Sequence, residues 1–471
     1  MSILQYRRRC SRLANAILWP LLCATQAGAH AAEQGFVLLL PTDIYISAGV
    51  ACVVMTVVLL TVLPAPVLRG LFRPFDLWRR RRAPAARLLT SSASFLILCA
   101  LVWLGLSGPR DPLTNPLPLM IWTVWWIALV TVQGLFGDLW RWIDPWHGPV
   151  ALSRWALWRG PALRLPVQLG YSGAILTYLG FVIVLLADPA PSDPARLARY
   201  VGGYWLFTYV ALLLFGPRWA LRGEGIAMLM RCYAAVGLFG RRGRWFATGL
   251  FGWQAMRRRA PGFGAAIFML VILGCGSFDG LNETFWWLDL MGINPLEFPG
   301  RTAVVAQNTA GLIVANLALI VAYGLSVRMG LALAGADMSW RQAFCIYAPS
   351  ILPIALGYHV GHYLTSLLVN GQYALAALND PLARGDSLLG MATFYVTTGF
   401  FNTQDSVRLI WLCQAAAVVA GHVLAILMAH LIALNHHGSA RRAMLSQLPL
   451  AGFMVLYTLF GLWLLAAPRG L

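Results

Sequence analysis

Two histidines three residues apart, His359 and His362, stand in an otherwise apolar stretch, GYHVGHYLTSLLVNGQ, at residues 357–372. An imidazole in hydrocarbon costs free energy unless it is paired, ligated or facing water, so each needs a reason to be there. On a helix, i and i+3 positions are separated by about 60°, with Cβ atoms roughly 5–6 Å apart. Both rings could therefore address one ion or one substrate. The competing reading is that they hydrogen-bond to neighbouring helices and hold a bundle together.

Further polar residues fall in the same part of the chain. GSFDGLNETFWW, residues 276–287, carries Asp279, Asn282 and Glu283 at i, i+3 and i+4, which is one face if the helix continues. His422 and His430 share a face of a later apolar run, about 12 Å apart along its axis, so they cannot both bind one ion. Neutral imidazoles with a carboxylate form the donor set of a divalent metal, zinc or manganese, and an open position on such a metal would hold water of lowered pKa. His359, His362 and His422 are the expected metal ligands, and Asp279 or Glu283 the carboxylate ligand or base. Tyr363, with Tyr358 beside it, could donate a hydrogen bond to a charging oxygen. The same histidines would also suit haem ligation, or an ion or proton path in a transporter. No H-E-x-x-H, G-x-S-x-G or P-loop motif is present to choose among these.

These residues must be positioned by membrane-spanning helices. The 471-residue chain is 59% hydrophobic and 11% charged, with a mean hydropathy of +0.69, which excludes an ordinary soluble domain and predicts an all-α polytopic bundle. Ten apolar spans are centred near residues 54, 98, 126, 178, 207, 271, 315, 356, 420 and 458. Ahead of them, Arg7, Arg8, Arg9 and Arg12, a short apolar run and a small-residue stretch predict a cleaved signal peptide, residues 1–29, before a transmembrane domain over 30–471. Cleavage after Ala29 would leave His30 as a new N-terminus and possible bidentate ligand, whereas cleavage after Ala31 would remove it. The eight cysteines include no C-x-x-C pair and predict neither a disulfide framework nor a thiolate zinc site.

The net charge of +18 comes entirely from arginine and follows topology, not a nucleic-acid face. With the mature N-terminus outside, the loops at 65–87, 137–167, 218–262, 327–341 and 434–448 are internal and hold 24 Arg, against 7 in the outer segments. The positive-inside rule then places both mature termini in the periplasm of a bacterial inner membrane. Trp and Arg interleaved in GDLWRWIDPW (137–146) and LFGPRW (214–219) suit headgroup anchors, with Asp138, Asp144 and His147 as a competing cytoplasmic site. The loop 218–262 is expected to hold an interfacial helix near residues 226–238.

Several stretches carry a resemblance. GDLWRWIDPW, FGRRGRW (239–245), GSFDGLNETFWW, GYHVGHYLTSLLVNGQ, GHVLAILMAH (421–430) and LSQLPLAGFMVLYTLFGLWLLA (445–466) look like the bacterial multi-pass proteins named fenitrothion hydrolases, over residues 136–468. The resemblance implies attack of water on an organophosphate triester, with release of a nitrophenol. It supplies no catalytic residue set. Such substrates are neutral and apolar, so the expected partners are the lipid bilayer and an apolar small molecule, with a second membrane subunit a further candidate.

Overall fold

The computed structural model describes residues 37, 39–79, 83–157, 160–297, 300–392 and 395–469. The expected signal peptide and His30 lie outside them. The helices are α1 (Thr42–Leu60), α2 (Pro84–Ser107), α3 (Pro116–Phe136), α4 (Ser172–Ala187), α5 (Pro194–Phe215), α6 (Gly225–Ala234), α7 (Phe263–Leu281), α8 (Val305–Ala334), α9 (Leu352–Asn379), α10 (Gln404–His436) and α11 (Ala440–Ala466). Among the described residues, nine helices are long and apolar enough to cross a membrane. The tenth expected span is α4, whose 16 residues reach only about 24 Å at 1.5 Å per residue.

Hydrogen bonds show that α4 nevertheless runs from one end of the bundle to the other. Near its start, Thr177 Oγ1 accepts from Gly225 N at 2.8 Å. At its far end, Arg301 donates to Leu185 O and Asp188 O, and Asn308 to Leu186 O. The loops sort accordingly. Arg87 pairs with Asp144, Arg242 with Asp76 and Arg241 with Asp138 at one end, while Arg110 with Asp193, Arg196 with Asp188 and Arg301 with Glu283 close the other. The loops holding most of the arginine are thus gathered at one end.

Three details of that arginine-rich end differ from expectation. A three-stranded antiparallel sheet, β1 (Phe75–Arg79), β2 (Phe239–Arg242) and β3 (Trp245–Thr248) in the order β1-β3-β2, sits on it. FGRRGRW is the β2–β3 hairpin, turned at Gly243 with φ +59°. Helix α6 is buried, not interfacial. Glu224 caps it, accepting from Ile226 N at 2.9 Å and Ala227 N at 2.5 Å, and most of its residues, Met228, Leu229, Met230 and Tyr233 among them, are enclosed. Of the expected anchors, Trp140 and Trp146 also face inward. Asp144 accepts from His147 N at 2.8 Å and from Arg87, so it serves as a helix cap and ion-pair partner.

The span 340–379, containing α9, is the most enclosed, whereas α1 and α2 are largely exposed. Its neighbour α10 packs against it through glycines. A Cβ added at Gly357 would collide with Ala417 O, one at Gly361 would lie 2.9 Å from Gln414 O, and one at Gly421 would lie 2.5 Å from Pro353 O. Small residues at such contacts let two backbones approach closely in lipid.

Candidate functional site

The close approach of α9 to α10 decides where the histidines point. His359 follows Gly357 by two residues, a rotation of about 200° around the helix, so it faces away from α10. His359 lies instead against Trp126 of α3, its ring edge-on with centroids 5.2 Å apart, and is 6% exposed. His362 and Tyr363 point toward α7. There, Asp279 Oδ2 lies 3.4 Å from His362 Nε2 and accepts a hydrogen bond from Tyr363 OH.

A residue absent from the expected set completes the cluster. The chain after α11 folds back onto the end of α7: Phe285 N donates to Pro468 O at 3.0 Å, and Thr284 bridges Arg469. This brings Arg469 NH2 within 3.5 Å of His362 Nδ1. A guanidinium can only donate, so Nδ1 accepts and Nε2 carries the proton that faces Asp279. Both nitrogens of His362 are therefore engaged. Arg469 and Asp279 place opposite charges on either side of a neutral ring, which offsets much of the cost of holding each charge inside the bundle. Nothing in the sequence near residue 469 signals this role.

His359 is different: its Nε2 is buried and has no hydrogen-bond partner. Its ring borders a cavity of about 20 Å³ that Asp279, His362 and Tyr363 also line, with Trp126 and Tyr233 closing it. That volume admits about one water molecule, and the lining offers several polar partners for it. Tyr358 stacks on His362, with ring centroids 5.6 Å apart, and its hydroxyl is buried without a partner over Gly280, where a side chain would collide with it.

Of the six expected site residues, four come together: His359, His362, Asp279 and Tyr363. Glu283 does not join them. Helix α7 ends at Leu281, so the chain leaves the helical path before Glu283, which faces Arg301 at 3.7 Å. His422 also lies apart, between α10 and α11. Its Nδ1 donates to Val418 O at 2.8 Å, and its ring is 6.4 Å from Tyr457.

Among the described residues, no group of three or more His, Cys, Asp and Glu side chains is placed to hold a metal ion. His362 has no free nitrogen, and His422 faces a different helix. The three histidines expected as metal ligands are thus divided between two places in the bundle.

Compared with protein-family models, with curated proteins and with solved structures, the chain gives no match. The motif resemblance to fenitrothion hydrolases thus stands as an expectation, and the cluster around His359 and His362 is the firmer guide to function.

Proposed function

We propose that this multi-pass membrane protein is an intramembrane acid–base catalyst that hydrolyses uncharged, lipid-soluble esters. The organophosphate triester is the substrate class that the motif resemblance suggests. One observation carries the reading: the ring of His359, whose Nε2 is buried without a hydrogen-bond partner, borders a water-sized polar cavity beside the Asp279–His362–Tyr363 cluster. A buried polar atom left without a partner costs about 1–3 kcal/mol, a cost that a catalytic water would relieve.

In this mechanism His359 takes a proton from that water as the oxygen attacks phosphorus. The P–O(aryl) bond then breaks, and the aryl oxygen leaves as a nitrophenolate, so atoms and charge balance. Asp279 and Arg469 fix the tautomer of His362, and Asp279 also takes the Tyr363 proton, which leaves the Tyr363 oxygen to accept a hydrogen bond from the water and hold it beside His359. Glu283 has no part in it.

The proposal places the protein in a bacterial inner membrane with both mature termini outside. Reporter fusions at Arg258 should then read cytoplasmic and those at Asp386 periplasmic. The direct test is nitrophenolate release from a nitrophenyl phosphotriester by detergent-purified protein. Loss of about 10²–10⁴ in kcat for His359→Ala, at unchanged helix content, supports general-base catalysis. Full activity in that variant, or none in the wild type, overturns it. Stoichiometric zinc or manganese that disappears with His359→Ala would replace this mechanism by a metal-bound one.

A further inference from the structure

Beside the small polar cavity lies a much larger apolar one. It measures about 860 Å³, within the 300–1,000 Å³ range typical of small-molecule sites, and is partly open. Its walls are α2 and α5 on one side and α3 and α4 on the other, with Trp140, Ile143, Pro145 and Trp146 closing it toward the arginine-rich end. A single layer of aromatic rings separates the two cavities. Trp126 borders the polar one, and Trp125 and Phe181 the apolar one, with the Trp126 and Phe181 rings 4.9 Å apart.

The lining also limits what can bind. Trp122 donates to Pro191 O, Trp146 to Trp205 O, Trp205 to Pro145 O and Tyr204 to Glu224, so these ring and hydroxyl protons are committed within the protein. Away from Arg199, which also borders the chamber, a guest with strong hydrogen-bonding demands would leave them unmet, whereas an arene meets matching aromatic faces and edges. Two glycines, Gly180 of α4 and Gly203 of α5, also line the chamber, and a Cβ at either would meet nothing within 4 Å. Mid-helix glycine in a membrane bundle is commonly explained by a close helix contact, but here each faces open space.

We infer that this chamber is a binding site for an uncharged, arene-bearing lipophile drawn from the bilayer. Binding itself follows from the chamber alone. Identifying the guest with the substrate of the polar cluster rests on the acid–base reading, with the Trp125–Trp126–Phe181 layer as the partition that the guest must displace to reach His359.

The probe is 1-bromonaphthalene, a heavy-atom quencher of tryptophan fluorescence, added to the full chain in lipid nanodiscs. Wild-type protein should show a saturable quenching component. Gly180→Phe and Gly203→Phe each project a ring toward the chamber from a Cβ that meets nothing within 4 Å, and replace a poor helix former. Both should weaken that component at least tenfold while helix content and thermal midpoint stay at or above wild type. Quenching that never saturates, or that survives both substitutions, overturns the site. So does a Phe-sensitive component of equal size from brominated phosphatidylcholine, since lipid chains would then be the occupant. The His359→Ala variant separates the two claims: unchanged hydrolysis there refutes the catalytic reading alone, and non-saturable quenching refutes the chamber alone.

Discussion

Helices α9 and α10 lie side by side and each carries two buried or nearly buried histidines, yet the pairs live in different chemistry. In α9, His362 sits between the Asp279 carboxylate and the Arg469 guanidinium, and His359 keeps an unpaired nitrogen beside a polar cavity. In α10, His422 donates to a carbonyl of its own helix, and His430 Nδ1 meets Gln447 Nε2 at 2.7 Å. His422 Nε2 is buried without a partner as well, but the second pair meets only neutral groups and borders neither the charged cluster nor the cavity beside it. Residue type and helical spacing are the same kind of signal in both; the neighbours supplied by α7 and the C-terminal segment make the difference.

The largest effect that could break this contrast is on turnover. Asp279→Asn should lower kcat for a nitrophenyl phosphotriester by about 10²–10⁴, because the group that orients His362 and accepts from Tyr363 is neutralised. His422→Leu should leave kcat within about threefold of wild type, as the ring lies outside the cavity. A collapse of activity in His422→Leu would mean that α10 joins the chemistry after all.

A second test moves the helices apart. The added methyl of Gly421→Ala would stand 2.5 Å from Pro353 O, a backbone atom that cannot rotate away. Overpacking of this kind costs about 1–3 kcal/mol, read as a lowered thermal midpoint in detergent. Gln447→Leu isolates the glue role of α10: it leaves His430 Nδ1 buried without its partner and should destabilise by about 1–2 kcal/mol at unchanged kcat.

The smallest effect concerns a charge outside the spanning segments. Burial pushes the Asp188 carboxyl up, but hydrogen bonds from Arg196, Ala190 N and Tyr200 outweigh it and hold the group below the ordinary Asp value. Its stabilising contribution is therefore present above about pH 4, the unfolded value, and is lost as pH falls through the lowered one. Thermal midpoints measured from pH 7 to pH 3 should fall more steeply in wild type than in Asp188→Asn.

Hydropathy made the helical architecture legible, and all ten apolar centres coincide with helices, because length and apolarity are local properties of a segment. The pairing of His359, His362, Asp279 and Tyr363 was also within reach, through polar residues placed in apolar runs. The orientation of α9 was readable but easily missed: Gly357 and Gly361, four apart, mark the face that meets α10 and so turn His359 away from His422. Arg469 was not readable, since its place depends on how the chain after Pro468 returns to Thr284. The same holds for residues 119–129 of α3, which wind as a π-helix in the stretch that bears Trp122, Trp125 and Trp126. A widened turn is favoured by what packs on it, here the cavity-lining aromatics, and not by any residue pattern of its own.

The small sheet imposes an order on synthesis. Asp76 in β1 meets Arg242, 166 residues later in the chain. At roughly 5–20 residues per second, β1 leaves the ribosome about 10–30 s before β2 and β3 exist to pair with it. During that interval its backbone donors and acceptors are an open edge, the kind of template on which nascent chains associate. Arg79 charges that edge at its end, and like charges on two such strands repel. A single basic residue at the end of the strand would thus help keep an unfinished chain from pairing with its neighbours.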